Sequence, residues 1–187
     1  GVVLGLLGIA DQLRPSTRAA IAHLKALKMK PVMLTGDNAR AAAAIAKSAG
    51  ICEWRAGLLP QDKAAYINNL HQQGIPVGMA GDGANDAPAL AAADASFAIG
   101  AGADAAIQSA DITLMRSDLT GVVDAIRLSR ATLAKIRQNL FFAFFYNALG
   151  IPLAAAGMLN PVVAGAAMAM SSVSVVSNAL LLRRTFK

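Results

Sequence analysis

Two uncharged runs, Leu140 to Leu159 and Val162 to Leu182, restrict the folds open to this chain more than any other feature. As a helix, a run of this length reaches roughly 30 Å, about the hydrocarbon thickness of a bilayer. Asn160-Pro161 interrupts the pattern between them, so residues 140–187 read as an α-helical transmembrane hairpin. Charge points the same way. Residues 1–124 hold all 11 acids and 10 of the 17 bases, whereas residues 125–187 hold no acid and 7 bases. Those bases flank the runs and none lies in the turn, which puts both outer ends in the cytoplasm. The net charge of +6 therefore comes from helix flanks and not from a basic patch, which excludes nucleic acid as a partner. A content of 56% hydrophobic and 15% charged residues fits a multi-pass protein of the cell membrane with the lipid bilayer as a partner.

Upstream of about residue 118 the pattern alternates between strands and helices. Val2 to Ile9, Val32 to Leu34, Ile75 to Ala80, Ala95 to Ile99 and Ile112 to Met115 are apolar runs of strand length. Between them lie a helix opened by Pro15-Ser16, an alanine-rich helix closed by Gly50 and a helix from Leu59 to about Gly74. Two more follow, over Ala87 to Ala93 and from about Ala103. Repeated β–α units of this length predict a parallel, doubly wound sheet. Around Leu119 a longer helix begins, with Val122, Val123, Ile126 and Leu133 apolar and Arg127, Arg130, Lys135 and Arg137 basic. Three segments result: an α/β portion over 1–118, a linking amphipathic helix over 119–139 and the hairpin over 140–187. Cys52, the single cysteine, excludes an internal disulfide and reads as a small packed side chain beside Ile51. His23 and His71 fall on predicted helices without partners at ligand spacing.

The densest chemistry lies in Gly81-Asp82-Gly83-Ala84-Asn85-Asp86-Ala87-Pro88, at the carboxyl end of a predicted strand. Ligands of open α/β sheets bind at that edge. Asp82 and Asp86 offer the hard oxygens that Mg²⁺ takes, and Gly81 and Gly83 let backbone approach a ligand. Two further loops reach the same edge by this reading. Thr35 follows the strand at 32–34, and its hydroxyl, with the N–H groups of Gly36 and Asp37, suits phosphate oxygens. Lys63, at the start of a helix, suits their charge. Phosphoryl transfer needs mainly such positioning and charge stabilisation.

Thr35-Gly36-Asp37-Asn38, Leu58-Leu59-Pro60-Gln61-Asp62-Lys63, Gly81 to Pro88 and Gly100 to Met115 resemble the later phosphorylation-domain motifs of P-type ATPases, whose domain is haloacid-dehalogenase-like. Asp11-Gln12-Leu13-Arg14-Pro15 is similar to the segment where that family's chain returns from its nucleotide-binding domain. The resemblance implies an incomplete doubly wound sheet followed by the last two membrane helices. It implies Mg²⁺ on Asp82 with Asp86 in or beside its shell, and the phosphoryl group of ATP held by Thr35, Lys63 and Asn85. The family's nucleophile is the aspartate of DKTGT, and no DKTG occurs in these 187 residues. The expectation is that it lies upstream in a longer polypeptide with the remaining domains, and that this chain alone is inactive. At two positions the sequence departs from the family, with Ala103 where threonine is usual and Gln108 where an acid is common.

Polar residues inside the uncharged runs are few, so each is a candidate for an ion path. Tyr146 and Asn147 lie mid-span in the first run; Met168, Ser171 and Ser172 lie mid-span in the second, with Met168 and Ser172 one helical turn apart. A thioether is soft and suits Cu(I), and neither run holds a carboxylate or lysine. Small hydroxylated residues such as Ser171, Ser174 and Ser177 equally serve helix packing. Tyr-Asn paired with Met-x-x-Ser-Ser is similar to the last two helices of copper(I)-exporting P-type ATPases, which implies Tyr146, Asn147, Met168 and Ser172 as Cu(I) residues. Ag(I) would meet the same ligands. Two other readings stand beside this one: a membrane-tethered phosphatase of the haloacid dehalogenase type, and a catalytically dead metal-binding membrane fragment.

Overall fold

The computed structural model describes residues 13–100, 104–157 and 160–185. The expected strand at Val2 to Ile9, the segment at Asp11-Gln12 and Ala103 lie outside the described residues. Two compact units divide the chain, Gly1–Asp124 and Ala125–Lys187.

In the first unit α1 (Thr17–Ala26) precedes β1 (Val32–Leu34), α2 (Ala39–Ala49) and β2 (Glu53–Arg55). β1 and β2 pair in parallel with Val32 opposite Glu53. After α3 (Pro60–Gln72) come β3 (Gly78–Gly81), a 3-10 turn (Ala84–Asp86), α4 (Ala87–Ala92), β4 (Ala95–Ile99), α5 (Asp104–Ser109) and β5 (Ile112–Leu114). These three strands form a parallel sheet in the order β3-β4-β5. The fold is α/β with parallel pairing throughout. Among the described residues it comprises two parallel sheets, where the sequence predicts one. β2 was not foreseen, because Glu53-Trp54-Arg55 lacks an apolar run; its alternation around Trp54 was the available signal.

Local chemistry explains most boundaries. Asn38 caps α2, its side-chain oxygen accepting from the Ala41 N–H at 3.0 Å, and Gly50 ends that helix at φ +74°. Pro60 opens α3, where the Asp62 carboxylate accepts from the Leu59 N–H at 2.9 Å. β3 starts later than the predicted Ile75 because the residues before it bond elsewhere. Pro76 has no N–H, Ile75 donates to Leu70 O, and Val77 donates to the Asp94 carboxylate at 2.7 Å. Small residues let the helices sit close: Ala20, Ala42, Ala46, Ala89 and Ala98 are buried, and Ile67, Leu90 and Val123 are the largest fully buried side chains. Cys52 is exposed, contrary to the packed expectation, because it follows the Gly50 turn outside β2.

The second unit consists of α6 (Thr120–Ala155), which begins in the first unit, and α7 (Pro161–Thr185). The helix stops at Ala155 rather than at Asn160-Pro161, with Gly157 at φ +71° making the turn. Pro161 then opens α7, and Asn160 Oδ1 accepts from the Val162 N–H at 2.9 Å. Among the described residues no helix is long and apolar enough to cross a membrane. α6 runs unbroken through Tyr146-Asn147 and Pro152, whose polar groups and missing N–H lower its apolar character, and it ends at Ala155, before Leu159.

Candidate active site at the ends of β1 and β3

Each loop named from the sequence leaves the carboxyl end of a strand or opens a helix. Thr35 follows β1. Its hydroxyl donates to Asp37 Oδ2 at 2.9 Å and accepts from the Asp37 N–H at 3.1 Å, so the two residues brace one turn. Gly36 is exposed, and a Cβ there would sit 3.4 Å from Leu58 O, an ordinary contact.

Backbone bonds tie this turn to the approach to α3. Gly57 N–H donates to Asp37 O at 2.8 Å, Leu58 N–H to Thr35 O at 3.1 Å, and Thr35 N–H to Arg55 O at 3.0 Å. Gly57, at φ +67°, supplies the left-handed turn this requires. β2 is thus the element that fixes the Thr35 turn against the start of α3.

One turn into α3, Lys63 Nζ donates to Asp86 Oδ1 at 2.7 Å. Both side chains are largely shielded, at 12% and 14% exposure, so water screens this pair weakly. Asp86 ends the 3-10 turn after β3, and Gly81 makes room for it: a Cβ on Gly81 would lie 2.7 Å from Asp86 Cβ and Oδ2. Asp82 and Asn85 are exposed on the same loop. A chain of bonds therefore runs from Thr35 and Asp37 through 57–58 and α3 to Asp86. Among the described residues no three His, Cys, Asp or Glu side chains gather closely enough to hold a metal. The exposed Asp82 carboxylate offers one hard oxygen donor of the kind Mg²⁺ takes.

At the opposite edge of the sheet, before β3, β4 and β5, carboxylates are fixed by donors. The Val77 N–H and then His71 hold the Asp94 carboxyl below its usual range, and Ser96, buried, does the same for Asp111 through its hydroxyl and N–H. His71 Nε2 lies 2.8 Å from Asp94 Oδ2, a partner the sequence reading did not find because it comes from the end of α4. In the second unit Tyr146 is half-buried, while Asn147 is exposed and donates to Ala143 O at 2.9 Å. Ser172 is exposed. Met168 lies on α7, and its side chain is outside the described residues.

The chain matches the family of haloacid dehalogenase-like hydrolases over residues 2–94. It is similar to a copper-exporting P-type ATPase of Bacillus subtilis strain 168, with 55% identity over 98% of this chain and 23% of the relative. A probable copper-importing P-type ATPase A of Enterococcus hirae shares 52% over 97% of this chain and 25% of its own length. Among solved structures, a zinc-transporting PIB-type ATPase in the E2.Pi state superposes with a TM-score of 0.85 and 44% identity, over 92% of this chain and 28% of that one.

The chain belongs to the P-type ATPase family.

It spans about a quarter of the length of the curated P-type ATPases it matches. The haloacid-dehalogenase-like match over 2–94 covers all three loops, and the superposition extends over 92% of the chain. Within the P-type ATPase fold, the Lys63–Asp86 pair and the β2 support are what sequence motifs alone do not specify: the motif names each residue but not its partner.

Proposed function

We propose that this chain is the C-terminal part of an ATP-driven Cu(I) exporter of the cell membrane that works through an aspartyl-phosphate on a residue upstream of it. Residues 1–118 form the later part of a cytoplasmic phosphorylation domain, 119–139 link it, and 140–187 form a membrane helix pair. The observation that carries the reading is the bonded chain from Thr35 to Asp86, which holds three phosphate-handling loops in one arrangement.

In this mechanism the Thr35 hydroxyl and the N–H groups of Gly36 and Asp37 bind phosphoryl oxygens, and Asn85 orients them. Thr35 Oγ first gives up its bonds with Asp37. Lys63 neutralises phosphoryl charge, and Asp86 fixes the direction of its ammonium at 2.7 Å. Asp82, with Asp86 beside it, would hold Mg²⁺, whose charge when bound offsets the negative charge of the transferring group.

Membrane residence is supported by the apolar surface of the second unit: Phe141, Phe144, Ile151, Val162 and Val173 are each more than 60% exposed. A helix carrying Tyr146 and Asn147 is accommodated in a bilayer when neighbouring helices cover those groups, and Asn147 already satisfies one donor on its own helix. Cu(I), with Ag(I) as its chemical equivalent, is the favoured cargo because the uncharged runs carry Met168, Tyr146, Asn147 and Ser172 but no carboxylate. Names among the relatives include both export and import; export follows the resemblance.

The test is acid-stable phosphoenzyme formation by the full-length protein from radiolabelled ATP, with and without Cu(I). Cu(I)-dependent, hydroxylamine-sensitive labelling is expected. Phosphomonoester hydrolysis without Cu(I) stimulation would replace the reading with a tethered phosphatase; neither activity would leave a metal-binding fragment.

A further inference from the structure

In the second unit one amide ties the two helices together. Lys135 Nζ donates to Asn178 Oδ1 at 2.7 Å, while Asn178 Nδ2 donates to Asn139 Oδ1 at 2.8 Å and to Gln138 Oε1 at 3.3 Å. Lys135, Asn139 and Asn178 are all half-buried. Asn139 stands 16 residues before the end of α6 at Ala155 and Asn178 stands 17 residues after the start of α7 at Pro161, as in an antiparallel pair. No acid occurs beyond Asp124, so Lys135 has no carboxylate within its own unit and uses an amide.

We infer that Asn178 is a positioning residue: its amide sets the axial register of α6 against α7, and so decides which part of α7 stands level with Tyr146-Asn147. The inference rests on the Cu(I) reading for its consequence and on the hydrogen bonds alone for the register. A polar residue on an otherwise apolar helix contact specifies register because a slip leaves its donors and acceptors unpaired. Along α6, Asn139 to Asn147 rises about 12 Å. Along α7, Asn178 back to Ser172 rises about 9 Å and back to Met168 about 15 Å. The backbone level of Asn147 therefore falls between Ser172 and Met168. A slip of one turn, about 5.4 Å, would remove it from that interval. The residues that the sequence proposes as one ion site are thus brought level along the helix axes by a contact roughly two turns away.

The test uses the full-length protein in membranes, with cysteines at positions level with each other. Ala143 and Ser174 are both half-buried and stand four residues from the clamp on their helices; Ser171 is about one turn out of level. The pair Ala143→Cys with Ser174→Cys is expected to crosslink through a short bis-thiol reagent several-fold faster than Ala143→Cys with Ser171→Cys. Asn178→Ala is expected to abolish that preference and to raise the KM for Cu(I) in ATP hydrolysis about tenfold, with phosphorylation by inorganic phosphate unchanged. Asn178→Asp, which still accepts from Lys135 and can receive the turned amides of Gln138 and Asn139, is expected to restore both. A crosslink preference that survives Asn178→Ala overturns the inference. If that variant does not accumulate, Asn178→Asp decides: a retained preference supports the inference, and a lost one overturns it. A changed preference with an unchanged KM for Cu(I) supports the register role and overturns the ion-site assignment instead.

Discussion

Ile67, Leu90 and Val123 of the first unit are completely covered, whereas Phe141, Phe144 and Leu149 of the second stand more than half exposed. Both units are rich in alanine and helix, so propensity does not separate them. Charge does. Every acid lies at or before Asp124, and several of them are paired there: Asp86 with Lys63, Asp94 with His71 and Val77, Asp111 with Ser96, Asp118 with Ser16 and Thr120. Beyond Asp124, Lys135 turns to an amide. The first unit thus concentrates fixed charge around its strand ends, while the second keeps acids out of an apolar surface.

The sharpest way to break this contrast is to remove charge chemistry from the first unit. Asp82→Asn in the full-length protein is expected to lower phosphoenzyme formation from ATP by about 100-fold or more, with thermal unfolding unchanged because Asp82 is exposed. The corresponding change in the second unit is Met168→Ala. It should remove Cu(I)-stimulated ATP hydrolysis, about tenfold or more, and leave labelling by inorganic phosphate intact. Equal effects of the two variants on both assays would erase the division of labour.

Lys63→Met tests whether pairing holds the first unit together. It strands Asp86 in a shielded site, and a loss of about 2 kcal/mol is expected in denaturant unfolding. Acid should act on the same unit alone. Asp94, Asp111 and Asp118 have carboxyls held below their usual range, first by the N–H of Val77, the hydroxyl of Ser96 and the N–H of Thr120 respectively. Groups depressed on folding bind protons more readily when unfolded. Their contribution is complete above the ordinary carboxylate range and is lost as pH falls below about 4. Circular dichroism against pH should show the α/β signal declining there before that of the acid-free helices. The smallest effect is expected from Asn38→Ala, about 1 kcal/mol from the lost cap of α2, read as a shift in unfolding midpoint.

Much of the helical layout is legible in the sequence because its causes are local. Pro60, Gly50 and the Asn38 cap act within a turn of where they stand, and β4 matches its predicted range. β3 begins later than expected for the opposite reason: Val77 N–H is claimed by Asp94, a residue 17 positions away. Of the candidate site, the residue types and their strand-end placement could be read, since motif spacing is a property of the chain.

What the chain alone fixed is that acids and uncharged runs occupy different segments, and that Thr35 and Asp82 to Asp86 follow apolar strand-length runs while Lys63 opens a helix. Tertiary structure decided the partners. Lys63 meets Asp86 across 23 residues and Lys135 meets Asn178 across 43, contacts that exist only once helices are packed. A side chain's type limits which bonds it can form, but the packed backbone alone sets which groups come within 3 Å of it.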